Sequence, residues 1–471
     1  MSSNPEPLHS ADSTDPSTTS LSLSLRRGLF LWQPNALMQP RPWLQLCAAA
    51  ALLVYAFFGI SLETVPEKAA MLANLLGLAI LAIYGGPVHG FSLRRSAIVW
   101  LAVAAIAMAF ISWSASWLML PQWAESSFKV HRVTIWFAMI PVAAILGGRQ
   151  RNVHLLWGCA LFGLLLSPWI SGGGLAEWQR GLAGERIDFG LHNAQHAAML
   201  FGTAALGIAA FFPRIIASGH RLLALAWLAL LAICIAAVVA SQTRGVWAGF
   251  IAGALTLATI RVMELRNRYR RRTIFAGAVA TAACTLAIGY IALGDIVSQR
   301  LAAERETLHL LQQGQLEKVP DTTSAGVRLH TWREALNWIA EHPLVGWGGN
   351  GRSLIFDHST NLPESIKQNF GHLHNSYLDL LANYGLLGLA LLVALVYWLV
   401  SRCLHGYRSG HLCAGDFTFC LSFTVFFAVI NLFESYLFYD SGHLVMALVG
   451  GGILTRIWRA RRSTAHAENA G

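Results

Sequence analysis

Apolar runs recur along almost the whole of this chain, separated by short polar stretches that carry most of its arginines. Twelve such runs are visible, near 43–60, 70–88, 97–118, 132–147, 153–170, 194–212, 221–240, 245–260, 273–293, 377–400, 414–433 and 441–457. Several are barely long enough to cross the roughly 30 Å of a bilayer's hydrocarbon. The runs 221–240 and 245–260 are joined only by Ser241-Gln242-Thr243-Arg244, so their boundaries are soft. The pattern predicts an all-α, polytopic membrane protein with about twelve transmembrane helices. It divides into a partly disordered tail over 1–42, nine helices over 43–293, a loop domain over 294–376, three helices over 377–457 and a tail over 458–471.

The polar stretches orient the bundle. With the N-terminus inside, the inner loops hold Arg94 and Arg95, Arg149 and Arg151, Arg214 and Arg221, the cluster from Arg261 to Arg272, Arg402 and Arg408, and then Arg456 to Arg462. The short outer loops are nearly bare, with Lys68, Lys129 and Arg132 as exceptions. This asymmetry predicts cytoplasmic termini. Composition agrees: of 471 residues 55% are apolar and 12% charged, about half the charged share of a soluble protein. The net charge of +10 is a topology signal and does not imply nucleic acid. No cysteine falls in an outer loop, so no disulfide framework is expected.

Two outer segments are long enough to build a site, 171–193 and 294–375. The second is too long to be structureless. Val297, Leu301, Leu308 and Leu311 suggest one helix, and Val327, Trp332, Leu336 and Ile339 a second, ended by His342-Pro343. The run Gly346 to Gly351 then reads as a flexible turn and lacks the Lys-Ser/Thr of a nucleotide-binding loop.

The candidate chemistry lies where this loop meets the tenth span. His374-Asn375 precedes a helix expected to start near Tyr377, with Ser376 and Asp379 as its start signal. A helix N-terminus favours neutral imidazole and bound anions. His374 is therefore either a base beside an anion site or a polar residue capping a membrane helix. Arg244 in the turn Ser-Gln-Thr-Arg-Gly is expensive at that depth unless paired or functional. Arg186 and Arg328 either bind phosphate oxygens in a bidentate fashion or extend to headgroups. His372 and His374 have the spacing of no zinc motif, and the outer loops contain no Asp-x-Asp, so no metal is expected. Glu434 and Asp440 flank the last outer turn, where they either pair with an arginine or sit as wetted interfacial carboxylates.

Together these features resemble the bacterial O-antigen ligase and polymerase superfamily. That group shows about twelve spans, one large late periplasmic loop, an arginine after a short turn, and an arginine opening a helix that ends in a His-Pro-Leu-x-Gly run. Here the last is met by RLHTWREALNWIAEHPLVGWGGNG. The ligase pattern is His, then Asn, Ser or Gln, nine residues, Gly, two residues, and Gly, Thr or Tyr. His374, Asn375, Gly385 and Gly388 meet it.

The resemblance implies a GT-C-like glycosyltransferase of the bacterial inner membrane, its site facing the periplasm. The implied donor is a glycan on undecaprenyl pyrophosphate, and the implied acceptor the lipid A–core oligosaccharide. His374 would be the general base, and Arg244 and Arg328 would bind pyrophosphate, with Arg186 added from its position and His372 supporting. No cofactor is implied. An O-antigen polymerase and a protein O-oligosaccharyltransferase share the scaffold. The latter usually carries a longer segment after the last span than 458–471. A transporter, from another class, would also tolerate intramembrane arginines, but no inverted repeat is visible.

Overall fold

In a computed structural model of the chain, residues 32–62, 64–88, 91–265 and 323–468 are described, with a few positions between 309 and 321. The expected span 273–293, most of the basic cluster up to Arg272, and the first loop helix around Val297, Leu301, Leu308 and Leu311 lie outside the described residues.

The described chain is helical apart from a hairpin of two two-residue strands, Pro87–Val88 and Phe91–Ser92. The first helices are α1 (Pro42–Phe58), α2 (Thr64–Tyr84), α3 (Ala97–Met119), α4 (Met139–Leu146) and α5 (Gln150–Ile170). Then come α6 (Leu175–Leu182), α7 (Ala194–Ala217), α8 (Arg221–Ala240) and α9 (Arg244–Leu265). The loop domain supplies α10 (Ser324–Glu341), α11 (Gly351–His358) and α12 (Glu364–Asn369). The last three are α13 (Ser376–Arg408), α14 (Ala414–Ile430) and α15 (Asp440–Glu468). Among the described residues seven helices are long and apolar enough to cross a membrane: α2, α3, α5, α7, α8, α9 and α13.

Their outward faces fit that reading. Met71 and Leu72 on α2, Trp100 on α3, Leu222 and Leu225 on α8, and Ile251 and Leu255 on α9 are all exposed. So large an exposed apolar surface marks a membrane or partner face. Inward, α9 packs along α14, α7 along α8, and α15 along α4. Close packing is set by small residues: a Cβ on Gly249 would lie 2.4 Å from Ile430 Cγ2, and one on Gly451 2.4 Å from Val142 Cγ1.

The structure adds to the sequence pattern in three places. The run 132–147 is one short apolar helix, His131–Leu146, that tightens through a 3-10 turn at Ile135–Phe137 before the eight-residue α4. In α10 the buried face runs through Val327, Thr331, Ala335 and Trp338, while Leu336 is 56% exposed. The polar Thr331 and Glu334 take core positions because both are hydrogen-bonded: Thr331 Oγ1 donates to the Val327 carbonyl (2.8 Å), and Glu334 accepts from Trp338 Nε1 (3.0 Å) and Ser359 Oγ (2.8 Å). Buried polar groups with such partners cost little. Finally, the tenth span is broken at Gly385, which has φ 61° and ψ −157°.

That break is held from outside. Leu386 N–H donates to the Pro343 carbonyl (2.8 Å) and Leu387 N–H to that of Leu344 (3.1 Å). In return Trp347 and Gly348 donate to the carbonyls of Ala382 (2.9 Å) and Asn383 (3.0 Å). The backbone groups freed by the break are thus paired with the run after His342, as buried peptide groups must be. A Cβ on residue 385 would sit 2.4 Å from the Leu344 carbonyl carbon, and this φ and ψ combination is essentially glycine's alone.

Candidate active site

The helix α13 starts one residue earlier than its Ser-x-x-Asp signal suggests. Asn375 is the N-cap, and its side chain accepts from the N–H groups of Tyr377 and Leu378. Ser376 instead stitches the helix start to the turn after α14. Its N–H donates to the Asn431 carbonyl (2.9 Å), and its hydroxyl lies against Asn431 Oδ1, 3.1 Å from the Glu434 carbonyl oxygen. Asp379 reaches back to accept from Leu373 N–H (3.2 Å). These bonds press the chain before Asn375 against the 431–436 turn. His374 carries a positive φ of 49° there, uncommon for a side-chain-bearing residue.

The result is a triangle. His374 Nδ1 lies 3.2 Å from Glu434 Oε2, His372 Nε2 lies 3.2 Å from Glu434 Oε1, and the two ring nitrogens are 3.1 Å apart. Glu434 was expected to face an arginine or water; it faces both histidines. It also accepts from Gln195 Nε2 (2.7 Å) and from Ser435 N–H (2.9 Å). Four donors fill the capacity of an ionised carboxylate. Burial opposes its charge, yet the hydrogen bonds from His372 and His374, with their charge, outweigh burial and hold Glu434 well below the usual carboxylate range.

This arrangement fixes the tautomers. With Glu434 as acceptor, His372 donates through Nε2 and His374 through Nδ1. His372 Nδ1 then accepts from the Tyr439 hydroxyl at 3.1 Å. Burial, and then the Glu434 charge, push that hydroxyl up to about 12, so it remains a donor. His372 thus has both nitrogens occupied. His374 Nε2 has no hydrogen-bond partner among the described residues.

The predicted arginines approach the same turn. Arg328 NH2 donates to the Phe433 carbonyl, next to Glu434, at 3.2 Å. Gly245, adjacent to Arg244, packs so tightly on Phe433 that a Cβ would lie 2.6 Å from Phe433 Cβ. The Arg244 turn also meets the segment of Arg186: Gln242 Nε2 donates to the Gly184 carbonyl at 2.6 Å. Burial and then Glu434 raise the Tyr436 hydroxyl well above its usual value, against which the charges of Arg328 and Arg186 both act. Arg328 thus contacts the 433–436 turn, the charge of Arg186 reaches it, and the backbone beside Arg244 packs on it. Gly388 does not touch this centre; it packs on α13 itself, where a Cβ would lie 2.7 Å from Tyr384 Cβ.

Sequence reading missed Gln195 and Tyr439, although Gln195 lies within the motif that contains Arg186. It also missed Arg352, whose guanidinium lies 3.7 Å from the fully buried Asp379 and 5.0 Å from the Phe438 ring centroid. Among the described residues His372, His374 and Glu434 are the one group spaced to hold a metal ion. The triangle edges resemble the donor separations around a tetrahedral ion as well as hydrogen bonds.

A helical protein with seven helices long and apolar enough to cross a membrane and a histidine–carboxylate centre at one end is the class that fold and site define. Residues 229–393, about a third of the chain, match the family model described as O-Antigen ligase, a match that supports membership of the O-antigen ligase and polymerase superfamily. The matched segment contains Arg244, Arg328, His372, His374, Asn375, Gly385 and Gly388, and leaves out Arg186 and Glu434. The chain is also similar to a Haemophilus influenzae protein described as uncharacterized, with 28% identity over 136 residues, 27% of this chain and 33% of that protein. The similarity therefore spans about a third of that relative's length.

Proposed function

We propose that this protein is an O-antigen ligase, a GT-C-type glycosyltransferase of the inner membrane with its site on the periplasmic face. It transfers a glycan from undecaprenyl pyrophosphate to a sugar hydroxyl of the lipid A–core oligosaccharide. The observation that carries this reading is the free Nε2 of His374, oriented by a buried carboxylate on Nδ1. That is the arrangement of an imidazole acting as general base. His374 Nε2 takes the proton of the acceptor hydroxyl as its oxygen attacks the anomeric carbon. The bond to the pyrophosphate oxygen breaks with its electron pair, and the configuration inverts. Glu434 stabilises the imidazolium that forms. Arg186, Arg244 and Arg328 stabilise the charge growing on the leaving pyrophosphate, so the step needs no metal.

Purified protein, lipid-linked glycan and candidate acceptors make the test. His374→Ala should keep donor binding and lose about 10²–10⁴ in transfer rate. His372→Ala, which removes a neighbour of the base, should cost much less. A dead His372→Ala beside an active His374→Ala would reverse the assignment. Transfer to lipid-linked glycan in place of lipid A–core would make the protein a polymerase.

The three-donor spacing at His372, His374 and Glu434 favours one second reading, a metal-assisted transfer. A zinc ion there would sit about 2.0–2.1 Å from each nitrogen and would occupy Nδ1 of His374. Full activity in EDTA removes that reading. Loss of activity that a divalent ion restores would replace the metal-free mechanism.

A further inference from the structure

At the other end of the bundle the chain builds a second polar site, which the histidine chemistry does not use. Gln195 near the start of α7 and Tyr439 just before α15 both belong to the histidine centre. Arg214 on α7 and Arg456 on α15 lie 19 and 17 residues further along, a rise of roughly 26–28 Å. That is close to the hydrocarbon thickness of a bilayer. There a cavity of about 560 Å³ is lined by Arg149, Arg151, Arg214, Arg456, Arg459 and Gln150, among others.

Five arginines thus line one space, and one of them, Arg456, has a carboxylate partner. Asp416, almost fully buried, lies 3.1 Å from Arg456 Nε. None of Arg149, Arg151, Arg214 and Arg459 has a carboxylate within 4.0 Å among the described residues. The cluster is held in place: Arg149 Nε donates to the Pro34 carbonyl (2.8 Å), and Arg456 NH1 contacts the Gly148 carbonyl (3.4 Å). The start of α5 opens into the same cavity, since Gln150 and Arg151 line it and no side chain caps the helix. Its first N–H groups add to the anion-attracting field.

We propose that this cavity binds the phosphodiester headgroup of an anionic lipid from the leaflet opposite the histidine centre. Planar guanidinium forks suit phosphate oxygens, and basic pockets between helices at a membrane face bind such headgroups. Two points favour a lipid over free phosphate. The cavity is far larger than one phosphate, and it lies at headgroup depth beside helices with apolar outer faces.

The test uses the delipidated full chain in detergent and its melting temperature. Phosphatidylglycerol, phosphatidylcholine and inorganic phosphate are the probes. Arg151 and Arg214 make no side-chain hydrogen bond or ion pair among the described residues, so the double variant Arg151→Gln, Arg214→Gln should fold. Phosphatidylglycerol should stabilise the wild type, and the double variant should need on the order of ten- to thirty-fold more of it. Phosphatidylcholine should give little shift in either. Equal stabilisation by phosphatidylcholine, or an undiminished response in the double variant, would overturn the site. Stabilisation by inorganic phosphate equal to that by phosphatidylglycerol would overturn the lipid as its occupant.

Discussion

At the histidine end one carboxylate, Glu434, receives hydrogen bonds from two histidines, Gln195 and the Ser435 amide. At the opposite end five arginines line one cavity, and one carboxylate, Asp416, pairs with one of them, Arg456. The first centre is closed around its anion, and Nε2 of His374, the proposed base, is what remains open. The second has an excess of cationic donors, so what remains open is room for an anion. Buried charge is thus satisfied internally at the proposed catalytic end and left incomplete at the proposed lipid end.

Removing each carboxylate sharpens that contrast. Glu434→Gln keeps the shape of the side chain but loses its charge, so His374 loses its orienting partner and the imidazolium its counter-ion. Transfer should fall by about 10²-fold or more, with donor affinity little changed in a binding assay. Unchanged turnover would make Glu434 a structural residue only. Asp416→Asn should leave the chemistry alone and destabilise the fold, by on the order of 3 kcal/mol for a broken buried pair. Its melting temperature should recover more in anionic than in zwitterionic lipid. Equal recovery in both would break the comparison.

The smallest effect expected is one of pH. Glu434 is depressed in the folded chain, so its stabilisation is present above the ordinary carboxylate value of about 4.3 and is lost as pH falls through the lower folded value. The melting-temperature gap between wild type and Glu434→Gln should persist from neutral pH to about pH 5 and narrow only in stronger acid. A gap that closes between pH 7 and 6 would mean that the histidines, not the carboxylate, set the linkage.

Much of this was legible in the chain. Eleven of the twelve apolar runs contain described helix, because a span is a local property of composition and length. The loop helix after Thr323 was legible for the same reason, its N-cap and its His-Pro end both lying in sequence. The motif at His374 and Asn375 lies at the histidine–carboxylate triangle, and Arg328 contacts the Phe433 carbonyl beside it. What stayed hidden depends on long-range pairing. Glu434 is 60 positions from His374 and Gln195 is 239 from Glu434, and no local pattern links them. The break in α13 was hidden too. Gly385 could be read as a motif letter, but its geometry exists only because Pro343 and Leu344 supply acceptors.

The joint at Gly385 has a mechanical consequence. It divides α13 into a nine-residue piece, Ser376 to Tyr384, fixed to the loop domain, and a long apolar piece that runs on to Arg408. A helix that meets a bilayer of the wrong thickness tilts. Here the tilt can be taken up at the joint, and the short piece that positions His374 need not follow. The site is carried by the cap of the bundle, insulated from the lipid around its stem. Transfer rates in short-chain and long-chain lipid should then agree within about twofold, although the cost of mismatch changes. A steep dependence on chain length would show that the two pieces move as one.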